Sequence, residues 1–185
     1  MALRPIEELE AEHRAIQRVA ARMTVLADRA EEGGDVDVAQ LERIVEFLRI
    51  YADRCHHGKE EASLFPTLQN RGVPSHGCPL GGLTLEHQKG RGMVGELAVA
   101  IRAYQENEPE ARAGLVKSLR DLTTFYLNHI WKEDNLLFPL ADRLLQLEDN
   151  EALAASFARV NAELGVGEYE LFERFSKELD IDEVI

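Results

Sequence analysis

Between residues 6 and 30, apolar positions Ile6, Leu9, Ala20, Met23 and Leu26 recur among charged ones at helical intervals, which predicts an amphipathic helix. The Gly33-Gly34 pair ends it. From Asp37, a suitable N-cap, Val38, Leu41, Ile44, Val45, Leu48 and Tyr51 carry the same period on to about Leu68, a second and longer helix. Residues 71 to 82 hold Gly72, Pro74, Gly77, Pro79, Gly81 and Gly82, too many breakers for a helix interior, and mark the main loop. A third helix is expected from about Thr84 to Gln105, and a fourth from Pro109, in its first turn, to about Leu147. Asn150 reads as the cap of a shorter helical segment, which Gly165 and Gly167 interrupt before a last helix. No stretch carries a strand signal.

Four long amphipathic helices with short connections pack most economically as an antiparallel up-down four-helix bundle, the expected all-α fold class. On this reading residues 1–148 form the bundle and residues 149–185 an additional C-terminal helical segment of the same domain. Pro66 and Pro139 fall inside the second and fourth helices, where each removes a hydrogen bond to the carbonyl four residues earlier, at Ala62 and Asn135. Kinks or breaks are expected there.

The 185 residues suffice for one compact core, and 45% hydrophobic with 30% charged residues is ordinary globular composition. A formal charge of −13 repels phosphate backbones and anionic lipid, so neither nucleic acid nor membrane is an expected partner. The N-terminal residues turn acidic and amphipathic at once, without a basic, apolar and cleavable leader pattern, and this places the protein in the cytoplasm. Cys55 and Cys78 are then expected to stay reduced.

The chain repeats itself. The block from His56 to Pro66 aligns without gaps on the block from His129 to Pro139, and seven of the eleven positions are identical or conservatively acidic. Glu12-His13 recurs as Glu86-His87. The spacing agrees, with His13 and His87 74 residues apart and His56 and His129 73 apart. Residues four apart share a helix face, so His56 with Glu60 and His129 with Glu133 each present an imidazole and a carboxylate to one point. His13 and His87 complete the set from the other two helices. A lone core histidine is ordinarily hydrogen-bonded and metal-free, but four at matched spacing, two with an acid at plus four, would be costly in a bundle core without a cation. Carboxylates bridge cations and imidazole suits iron and its neighbours, so the natural reading is a dinuclear centre. His57 and Glu61 are the alternative register to His56 and Glu60.

These motifs, an early Glu-His, His-x-x-x-Glu with Leu-Phe-Pro, a second Glu-His, and a second His-x-x-x-Glu with Leu-Phe-Pro, resemble the hemerythrin-like (HHE cation-binding) family over residues 6 to 147. The resemblance implies two iron ions in a four-helix bundle, bridged by carboxylates or by an oxo or hydroxo group, with His13, His56, Glu60, His87, His129 and Glu133 as ligands. It differs from the oxygen carrier at Arg91, which stands where the carrier has another histidine, so five histidines become four. Arg91 is therefore expected to face the cavity and leave a position open to a small ligand. The implied function is to bind or reduce O2, NO or peroxide under oxygen, nitrosative or iron stress, as a di-iron oxidoreductase if it turns over. The other class is a non-enzymatic iron or oxygen sensor that reaches a protein partner through the C-terminal segment, or an iron store.

Of the remaining residues, Tyr51 and Tyr126 read as core aromatics or cavity lining, and Cys55 as a packing thiol. Trp131, Phe65 and Phe138 are expected to wall the centre from solvent. Lys59 and Lys132 occupy equivalent, solvated places, and His76 and Cys78 sit on the loop surface.

Overall fold

The computed structural model describes residues 4–165 and 167–179; the start of the chain, Val166 and the end of the expected C-terminal segment, 180–185, lie outside them. Helix α1 (Pro5–Glu31) buries the anticipated apolar stripe, including Ile6, Leu9, Val19, Met23 and Leu26. It stops at Gly33, whose φ of 87° lies in the left-handed region that favours glycine. Asp37 then caps α2 (Val38–Phe47), its carboxylate accepting from the Ala39 amide at 2.9 Å. Beyond α2 the rod continues as a π-helical stretch, Leu48–His57, then a second, Glu60–Leu64, and then α3 (Phe65–Asn70). Helix α4 (Leu80–Gln105) follows the loop, and α5 (Ala111–Lys132) continues through π-helical Glu133–Leu137 into α6 (Phe138–Leu144). Helices α7 (Leu147–Leu164) and α8 (Glu168–Glu178) complete the chain, and no strand occurs among the described residues.

Neither proline breaks its rod. The amides of Phe65 and Phe138, each just before its proline, donate five residues back, to the carbonyls of Glu60 and Glu133. The turn widens to the π pattern, and each proline then sits at the start of the next α-helix, where its missing donor costs nothing. The expected kink is thus absorbed as a π turn at the same point in both repeats.

Other boundaries also shift. Helix α4 starts at Leu80, not near Thr84, because Gly81 and Gly82 fall in a first turn whose amides have no intrahelical partner anyway. At Gly81 a Cβ would lie 3.3 Å from the backbone of His76, a tight approach that the missing side chain eases. Pro109 precedes α5, whose N-cap is Glu110, and the C-terminal segment is capped at Gln146 rather than Asn150, the Gln146 amide donating to Asp149 at 2.8 Å.

Contacts along α1 run against the chain of α5 and α6: Arg4 meets Asp142, His13 meets Asp134, Thr123 donates to the Ala20 carbonyl, and Arg120 meets Asp28. The apolar core forms two clusters. One lies beyond the histidines toward Val19, Met23, Leu41, Phe47, Leu97 and Leu119, and the other toward Leu9, Leu64, Leu68, Leu83, Phe138 and Phe157. The polar residues sit in the level between them.

Candidate metal centre

Seven side chains meet in that level: His13 from α1, His56, His57 and Glu60 from the second rod, His87 from α4, and His129 and Glu133 from α5 and the π turn after it. Each is at most 2% exposed. They form two groups, His57 with His87 and His129, and His13 with His56, Glu60 and Glu133, whose candidate donor atoms lie within 4.8 Å of one another in each group. The acids link the groups. Glu133 places Oε2 3.1 Å from His13 Nε2 and Oε1 3.2 Å from His129 Nε2, while Glu60 Oε2 lies 3.8 Å from His56 Nε2 and 3.5 Å from His87 Nε2.

The outer nitrogens decide how the inner ones point. Every one of the five Nδ1 atoms faces a carboxylate: Asp134 for His13 at 2.6 Å, Glu12 for His56 at 3.0 Å, Asp53 for His57 at 3.3 Å, Glu61 for His87 at 2.7 Å and Glu86 for His129 at 3.0 Å. A carboxylate accepts, so each Nδ1 carries a proton and each Nε2 faces inward as the atom left to bind a cation. The Nε2 atoms of His13 and His56 approach to 3.0 Å. Both oxygens of Glu60 and of Glu133, and Nε2 of His57, His87 and His129, are buried without a hydrogen-bond partner. Buried acceptors of this number are unfavourable unless a cation occupies their midst, and the imidazole and carboxylate set suits a mid-row transition metal. Burial pushes Glu60 well above the usual carboxylate range, and the nearby charge of Glu133 adds to it. Burial also opposes the charge of Glu133, but His129, His13 and His87 outweigh it and hold Glu133 well below that range.

The model of the Hemerythrin HHE cation binding domain matches residues 4–141 of the chain. The chain belongs to this family. No curated protein matches it significantly.

Within this hemerythrin-like frame, all six residues singled out by sequence converge, and the seventh, His57, stands beside His56 rather than replacing it. Both face inward because Leu48–His57 is π-helical, so that successive side chains diverge by less than on an α-helix. Five buried histidines, the four expected and His57, therefore converge in this level. The signal of the fifth was present as a break in the repeat, for His57 aligns with Ile130. Arg91 does not point at the inward Nε2 and carboxylate atoms. Its side chain is 39% exposed and reaches outward to Asp53 and Glu61.

Phe65 and Phe138 do wall the centre, stacking on His87 and His13, and Phe125 stacks on His129. Trp131 does not, being 59% exposed. Tyr51 turns its hydroxyl to Glu173 of α8, whereas Tyr126 lines a cavity of about 280 Å3 together with His57, Asp53 and Arg91. Cys55 is buried against Asn161, its thiol pushed up to about 12 by burial. Lys59, expected in solvent, is fully buried and bonded to Glu8 and Glu12. Its repeat mate Lys132 stays 42% exposed, on Glu86.

Proposed function

We propose that the chain is a di-iron protein that binds or reduces O2, NO or peroxide. What carries this reading is the convergence of five buried, inward-facing Nε2 atoms on two carboxylates without hydrogen-bond partners. His57, His87 and His129 would hold one ion and His13 with His56 the other, with Glu60 and Glu133 shared between them. Iron, when bound, would supply redox chemistry and an electrophile for a small ligand. The protein's part is to fix five ring tautomers through outer carboxylates and to keep the centre dry behind Phe65, Phe138 and the two apolar clusters. With two histidines against three, the His13 and His56 side has the smaller donor set and is where a small ligand would enter. The open position thus follows from this imbalance and not from Arg91, and reversible oxygen binding rejoins the outcomes to be tested.

The same reading takes the four long rods as an up-down bundle over residues 1–148, with 149–185 as an accessory, in the cytoplasm. The reversed contacts of α1 with α5 and α6 support the topology, and no helix among the described residues is long and apolar enough to cross a membrane. Purified protein reconstituted anaerobically with ferrous iron should hold two ions per chain by elemental analysis; one or none refutes the reading. Optical spectra with O2, NO and peroxide then separate turnover from reversible binding.

One observation favours a sensor as the second reading. Glu12 accepts from His56 through one oxygen and from Tyr169 of α8 through the other, so α8 is hydrogen-bonded to the outer side of a candidate ligand. Hydrogen exchange in α8 should rise on iron removal if the centre signals through it. Unchanged protection there would exclude that route.

A further inference from the structure

The two halves of the chain agree at His13 and His87, Glu12 and Glu86, His56 and His129, Lys59 and Lys132, and Glu60 and Glu133. Three of the positions where they depart lie together in the fold. Shifting by the repeat spacing sets His57 against Ile130, Asp53 against Tyr126 and Arg91 against Gln17. His57, Asp53 and Arg91 touch one another through Asp53. The Nε of Arg91 donates to Asp53 Oδ1 at 2.8 Å, and the same oxygen faces His57 Nδ1 at 3.3 Å. Its Nη2 donates to Glu61 Oε1 at 2.8 Å, and that oxygen faces His87 Nδ1 at 2.7 Å. The rings of His57 and His87 stack 3.9 Å apart at 10°. One guanidinium therefore ties together the two carboxylates that orient this stacked pair.

We propose that Arg91 is a positioning residue that, through Asp53 and Glu61, orients His57 and His87 and so governs the metal ion on the three-histidine side selectively. This rests on the two-ion reading above. The planar fork of arginine suits the task, since it spans two carboxylates at fixed angles, while an ammonium acts as a point charge. Gln17, in the matching place of the first half, carries no charge. His13 and His56 receive their support from Asp134 and Glu12 instead, neither of which touches Arg91 through the bonds described. The ion pairs of Arg91 are partly exposed, so solvent screens them and by themselves they add little to stability. A merely structural role would show as a small loss of melting temperature and nothing else.

The test is chelator-driven iron release from the loaded full-length chain, followed optically, for the parent, Arg91→Gln and Arg91→Lys. In Arg91→Gln, half of the iron should leave about 10- to 100-fold faster and the other half at the parental rate, with melting nearly unchanged. Arg91→Lys should fall between. In Mössbauer spectra, one of the two iron sites should change and the other should not. Equal acceleration of both ions, or of neither, overturns the proposal. A parent chain that takes up fewer than two ions refutes the two-ion reading and this proposal with it.

Discussion

Glu133→Ala should empty the centre of both ions. Glu133 lies within 3.5 Å of Nε2 of three histidines, His13 in one group and His87 and His129 in the other. No single histidine spans the two groups in this way, so losing one imidazole should cost one side, whereas losing this carboxylate withdraws a donor from each. The charge matters as much as the contact, and Glu133→Gln, which keeps the size but not the anion, should also fail to hold two ions. Metal that binds only the folded state stabilises it by about 4 kcal/mol at a thousandfold excess over Kd, which for a chain of this length is on the order of 10 °C in Tm. Calorimetry of iron-loaded parent against Glu133→Ala should show that gap, and stripping the parent with a chelator should close most of it. Full retention of two ions by Glu133→Ala would mean that the shared carboxylate has been misassigned.

Glu133 could be read from the chain because it recurs at the same spacing in both repeats, and the periodicity of α1 and the cap at Asp37 were legible for the same kind of reason: each is a local pattern with a local cause. His57 was not. Its inward direction depends on the π stretch Leu48–His57, which has no counterpart in the second repeat, where α5 stays α-helical through Lys132, so neither the repeat nor a local residue pattern announces it. Nor does the position of Arg91 along α4 reveal its partners. One turn along α4 from His87, its long side chain passes outside the ring and meets Asp53 and Glu61 of a different rod, a partnership between elements that spacing within one helix does not contain. Trp131 failed likewise, being next to a motif in sequence but on the outer face of α5.

The largest surprise in burial, Lys59, leads to the second expected result: Lys59→Met should destabilise the metal-free chain by about 3–5 kcal/mol, while Lys132→Met should cost about 1 kcal/mol or less. The two lysines occupy the same place in the repeat, and each bonds the carboxylate that orients a histidine, Glu12 for His56 and Glu86 for His129. What differs is the cover. Helices α7 and α8 pack over the first half, putting the Lys59 ammonium 5.5 Å from the Phe157 ring and 5.1 Å from Tyr169, and leaving both Lys59 and Glu12 with no exposed side-chain surface. Burial raises Glu12 to about 7 even with Lys59 beside it, so deleting the ammonium strands a carboxylate that water cannot reach. Lys132 and Glu86 remain partly in solvent, which screens their pairing and would solvate whichever partner is left. Urea denaturation of metal-free protein keeps the measurement clear of metal binding. Adding Glu12→Gln to Lys59→Met should recover much of the loss, because removing both charges of a buried pair is far less costly than removing one. Equal losses at the two lysines would show that the C-terminal helices do not set the environment of this half of the centre.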